Sequence, residues 1–139
     1  MGEAPEVMAL PGEPTIVAPD GSDVRVLVGL RRGSMAHFNL APGDASVPVR
    51  HRTVEEVWYF VEGVGEMWLL PPGASSADPV AVGPGTALAI PVGTIFQFRN
   101  TGDTPLAAIG VTMPPWPGPG EAELMDGGPW VPTVEPGPT

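Results

Sequence analysis

Acid–base chemistry has few places to sit in this chain. His37 and His51 are its whole imidazole complement, it has no cysteine and no lysine, and its cations are 6 arginines. Thiolate nucleophiles, disulfides, thiolate metal ligands and Schiff-base catalysis are therefore excluded. What remains is proton transfer by carboxylate and imidazole, and His51 and Glu56 fall close together just ahead of the aromatic run Trp58-Tyr59-Phe60.

The elements that must position these groups are strands. Glycine (19) and proline (20) punctuate the chain heavily, yet 42% of residues are hydrophobic and only 16% charged, which is too apolar for disorder and suits many short strands joined by tight turns. Apolar side chains recur with period two. Thr15 to Ala18 reads as a first edge strand, and Val24, Val26, Val28 and Leu30 share one face of a second. Further strands are expected over Ser34 to Leu40, Glu56 to Val61, Met67 to Leu70, Val80 to Val82, Ala87 to Ile90, Thr94 to Asn100 and Leu106 to Met113. No stretch carries the capped, 3.6-periodic pattern of an ordinary helix. A single domain over 1–139 is expected, with a core over about 15–113 and a Pro/Gly-rich tail, 114–139, pinned to it by Trp116, Leu124 and Trp130.

The formal net charge of −10 leaves no cationic surface for nucleic acid or for an anionic membrane. No apolar run approaches the roughly 18 residues of a spanning helix, and no basic residue precedes Arg25 as a signal peptide would require. A cytoplasmic, soluble protein is the expectation.

The spacing of particular residues resembles the cupin family, a double-stranded β-helix barrel carrying two motifs. Glu56 followed after six residues by Gly63 matches the second half of the first motif, and Gly43 resembles its start. Gly85, Pro91, Gly93 and Asn100 all fall in register with the second. The resemblance implies an all-β cupin (jelly-roll-like) barrel, with metal-binding histidines ahead of the glutamate and a third histidine in the second motif. Here the sequence departs from the pattern. One register puts Arg50 and Arg52 in the first two histidine slots, the other puts Val49 and His51 there; the third slot holds Phe96, beside Ile95.

If Glu56 points into the barrel as the family's glutamate does, Trp58 and Phe60 share its face, and Phe96 and Phe98 share a face on a later strand. The expected site is an aromatic-lined cavity with Glu56 and His51 as acid–base residues. His37, Arg50, Arg52, Trp58, Phe60, Phe96 and Phe98 are the candidate substrate contacts. The alternative for Glu56 is a buried ion pair with Arg50 or Arg52. No cofactor is expected; were a divalent transition metal held, its ligands would be His51, Glu56 and His37.

Three functions fit. The first is a metal-independent isomerase, cyclase or dehydratase of secondary metabolism acting on a largely apolar, polyketide-like small molecule. The second is a metal-dependent oxygenase or lyase, and the third a non-catalytic binder. The first is favoured because the substitutions run toward aromatic lining rather than other donor atoms. A homodimer is the expected assembly.

Overall fold

The computed structural model describes residues 3–139. Among them there is no helix, and none therefore is long and apolar enough to cross a membrane. Eleven strands run in chain order: β1 (Ile16–Val17), β2 (Asp23–Leu30), β3 (Gly33–Leu40), β4 (Val49–His51), β5 (Glu55–Glu62), β6 (Gly65–Leu70), β7 (Val80–Val82), β8 (Ala87–Ile90), β9 (Ile95–Asn100), β10 (Leu106–Met113) and β11 (Ala122–Leu124). They form a six-stranded sheet in the order β1-β2-β3-β10-β5-β8 and a five-stranded sheet in the order β11-β4-β9-β6-β7, with every pairing antiparallel.

Period-two patterning sorts the side chains between the inside and outside of this barrel. On β5, Glu56, Trp58 and Phe60 are buried, whereas Glu55, Val57 and Tyr59 between them are exposed. The core joins the two sheets through Leu40, Trp58, Phe60 and Leu106 from one and Met67, Val82, Phe96 and Phe98 from the other. Two glycines show how closely the chain approaches itself. Gly63 turns β5 into β6 at φ 79°, where a side chain would be strained and would strike the Pro105 carbonyl. Gly110, mid-strand on β10, lies under the stacked rings of Phe38 and Trp58, whose centroids are 4.8 Å apart.

The tail departs from the expected strandless segment. Ala122–Leu124 pairs with β4 and extends the five-stranded sheet. Glu121 locks this addition in place: its carboxylate accepts hydrogen bonds from the backbone N–H of Thr53 and Val54 and from the Thr53 hydroxyl. Farther along, the Gln97 side chain bridges to the Trp130 backbone in both directions, the Thr133 hydroxyl donates to Asp44, and Arg99 lies 4.7 Å over the Trp130 ring.

Candidate functional site

A cavity of about 230 Å³ opens between the sheets. Val49, Trp58, Phe96, Phe38 and Gly110 line it, and Ile16 and Val26, each about half exposed (50% and 46%), stand at its rim. Its polar side chains are Asp20, Ser34, His51, Glu56 and Thr112. Strand pairing gathers three of these on one sheet, because Thr112 on β10 is the register partner of both Ser34 and Glu56. The Ser34 and Thr112 hydroxyls are 2.7 Å apart, and Ser34 Oγ also accepts the Trp116 N–H at 2.9 Å. That bond holds the start of the tail against the barrel and brings the Trp116 ring onto the cavity wall.

His51 and Glu56 form the chemical centre. Glu56 is 3% exposed; its Oε2 accepts the Trp58 indole N–H at 2.8 Å, and its Oε1 lies 3.2 Å from His51 Nδ1. That second contact is a close approach off the line of a hydrogen bond, and neither atom has a hydrogen-bond partner among the described residues. The imidazole is wedged edge-on between Phe96 and Trp116, at centroid distances of 5.3 and 5.0 Å. Packing thus fixes both groups while leaving proton-accepting capacity unspent.

Asp20 is the contribution that sequence reasoning missed. It is 4% exposed in the turn between β1 and β2, and its Oδ1 accepts both the Ser22 N–H (2.9 Å) and the Ser22 hydroxyl (2.7 Å). Burial pushes its carboxyl above the ordinary aspartate range, the Ser22 hydrogen bonds oppose that, and the charge of Glu56 adds to the upward push. Pro19-Asp20-Gly21-Ser22 reads in sequence as ordinary turn chemistry, so its proximity to His51 and Glu56 carries no local signal.

Several expected contacts are corrected. Arg50 and Arg52 do not reach the cavity: Arg50 pairs with Glu123 at 2.9 Å, and Arg52 contacts Glu123 at 3.3 Å and donates to the Gly120 carbonyl. Glu56 accordingly makes no ion pair with either. Val49 and His51 are the buried residues of β4, which selects the register that places valine and histidine in the first two ligand slots. His37 lies on the other side of the sheet. Its register partners are Arg25 and Ile109, and Ile109 is paired in turn with the exposed Tyr59. There His37 lines a separate outer groove with Val7, Met8 and Glu62, where burial, reinforced by Arg25, pushes its pKa below the usual histidine value. Phe60 and Phe98 pack behind Trp58, at 5.9 and 5.1 Å between centroids, and do not line the cavity.

The residues present do not fit a metal centre of the kind the motifs imply. Val49 and Phe96 occupy two ligand slots with carbon, and His37 cannot join His51 and Glu56 through the sheet. Among the described residues no cluster of three or more His, Cys, Asp or Glu side chains is arranged to hold an ion.

Two facing antiparallel sheets enclosing a side-chain-lined cavity define a double-stranded β-helix barrel. The family model for the cupin domain matches residues 36–112, and the chain belongs to that family. No curated protein matches the sequence. Among solved structures, a Bacillus halodurans protein is similar at 22% identity and TM-score 0.62, with 73% of this chain and 74% of that one covered. A double-stranded β-helix protein from Klebsiella pneumoniae is 16% identical at TM-score 0.61, covering 87% and 91%. An oxalate decarboxylase from Bacillus subtilis is 16% identical at TM-score 0.66, with 79% of this chain but only 29% of that one covered, so this chain spans under a third of that enzyme. At these identities the likeness is one of fold.

Proposed function

We propose that the chain is a metal-independent acid–base enzyme, an isomerase, cyclase or dehydratase, acting on a small and mostly apolar molecule bound in the barrel cavity. The observation that carries this reading is the His51–Glu56 pair set in aromatic walls where two metal-ligand slots have become valine and phenylalanine. The volume, about 230 Å³, lies below the roughly 300–1,000 Å³ of sites for drug-sized ligands, so a single ring or short chain fits rather than a whole polyketide-like molecule. Among the described residues no arginine lines the cavity, and an oxalate-like dianion would meet the carboxyls of Asp20 and Glu56 with no arginine to balance it.

The chemistry that suits these groups is proton transfer beside a carbonyl. Glu56 takes the proton from the carbon, the C–H electron pair becomes a carbon–carbon double bond as the carbonyl π pair moves onto oxygen to give an enolate, and return of the proton at the same or a conjugated carbon completes the exchange or shift. The Trp58 N–H fixes the carboxylate against rotation, and the adjacent imidazole holds or releases the proton between turnovers.

The test is exchange of α-hydrogens for deuterium in cyclohexanone and 2-cyclohexenone, followed by NMR in D₂O. Acceleration above buffer by the native protein is expected, with a loss of about 10²–10⁴-fold in Glu56→Gln, the range typical of a removed general base. No acceleration with either ketone would contradict the reading and leave a binding cavity without chemistry.

A further inference from the structure

Asp20 is a buried carboxyl that the fold brings to the cavity from an element bearing no cupin motif residue. Its position is over-determined. Ser22 holds Oδ1 through two donors, the Val47 N–H donates to the Asp20 carbonyl at 2.8 Å, and the tail closes over the same turn through a hydrogen bond from Gly137 N–H to the Ala18 carbonyl at 2.8 Å. Among the described residues no arginine or histidine forms an ion pair with it, and Oδ2 takes none of the hydrogen bonds that fix Oδ1. A charged carboxylate buried without a cation, in the same small apolar space as Glu56, is costly, whereas a neutral carboxylic acid there has an O–H to donate. The upward push on its pKa from burial, with Glu56 adding and His51 opposing, runs in the same direction.

We infer that Asp20 is the acid of this cavity, donating a hydrogen bond and then a proton to the oxygen of an uncharged carbonyl ligand, while Glu56 with His51 acts as its base. The inference rests on the proton-transfer reading above and adds the ligand's polarity: a neutral ketone, aldehyde or enol, not a carboxylate. In balanced form, Glu56 gains the proton from carbon, the carbonyl oxygen gains the proton of Asp20, and the neutral enol forms between them. Reversal returns one proton to carbon and the other to Asp20. Two carboxyls thereby take opposite roles because their surroundings differ. Glu56 accepts the indole N–H and lies 3.2 Å from the His51 imidazole, and Asp20 is held only by a serine in an otherwise apolar turn.

The experiment compares two probes of nearly the same shape, cyclohexanone and methylenecyclohexane, which lacks the acceptor oxygen. Binding to the native protein, Asp20→Ala and Asp20→Asn is measured by ligand-detected NMR titration, and deuterium exchange is measured on the same samples. The native protein is expected to prefer the ketone by about tenfold, the worth of one hydrogen bond in a buried site. That preference disappears in Asp20→Ala and persists in Asp20→Asn, whose amide donates in place of the acid. Exchange falls in both variants, because an amide cannot surrender the proton. An undiminished ketone preference in Asp20→Ala, or undiminished exchange in Asp20→Asn, would overturn the inference, as would failure of the native protein to bind either probe. Should Asp20→Ala not fold, the exchange rate of Asp20→Asn decides the matter. A ketone preference that the native protein shows and Asp20→Ala loses, with no exchange in the native protein, would refute the enzymatic reading and the proton transfer from Asp20 while keeping Asp20 as the hydrogen-bond donor, so the two failures remain distinguishable.

Discussion

Individual residues set the character of this barrel by what they replace. Val49 and Phe96 stand at two positions where the family's motifs carry imidazole, and His51 and Glu56 remain as a close imidazole–carboxylate pair on the cavity wall. Asp20 adds a second carboxyl whose burial has a thermodynamic signature. Its folded-state pKa is raised, so between the unfolded value near 3.8 and the folded one the native state binds more protons than the unfolded state, and stability falls as pH rises through that window. Asp20→Asn has no such proton to lose. Its stability relative to the native protein is expected to increase as pH is raised from about 4 toward neutrality, checked by urea unfolding at the two ends; a pH-independent difference would show that the Asp20 carboxyl is not buried as described. Glu56 and His51 were legible in sequence because motif spacing names their positions. Asp20, Ser34 and Thr112 were not, since each reaches the site through pairing across long stretches of chain and leaves no local pattern. His37 shows the limit from the other side: period two says which residues share its face, but nothing in its own strand says which face is the interior.

Elements explain how an apolar cavity persists inside a tightly packed core. The stack of Phe38 on Trp58 forms one wall, and it exists because β10 presents no side chain at Gly110, where a Cβ would approach Phe38 Cε2 to 2.5 Å and Trp58 Cδ1 to 3.0 Å. Gly110→Ala is expected to cost about 1–3 kcal/mol through overpacking and to push Trp58 toward the cavity. Urea unfolding together with the Trp58 indole N–H resonance checks both effects, and an unshifted indole signal would contradict the packing account. The main strands were readable because apolar residues recur at alternate positions along β2 and β9, while β5 and β10 are short apolar runs, β5 rich in strand-favouring aromatic and β-branched side chains. β11 was not, because three residues among prolines and glycines become a strand only through an edge that β4 offers and a clamp that Glu121 supplies. The arginines of β4 follow the same logic: once His51 turns inward, Arg50 must turn outward, and Glu123 on the added strand is there to receive it.

At the scale of the whole molecule, the cupin barrel supplies a frame around a cavity lined largely by aromatic and aliphatic side chains, and the tail adds a strand and Trp116 to it. Residues after Met113 bring Trp116 to the cavity wall, Glu121 to the β4–β5 turn and Trp130 to the outer face of β9, so the tail is tied to the barrel at three places. Fold and site thus lie at different depths in the sequence: glycine and proline spacing specifies the frame, while the chemistry depends on which few side chains remain to face inward. The central claim, that this cavity is an acid–base pocket and not a metal centre, is tested most directly by calorimetric titration of Mn, Fe(II), Ni and Zn into the native protein, His51→Ala and the double variant Val49→His/Phe96→His. The account predicts no stoichiometric binding dependent on His51 in the native chain, and a gain of such binding when the two missing imidazoles are restored. Stoichiometric binding by the native protein that vanishes in His51→Ala would contradict it.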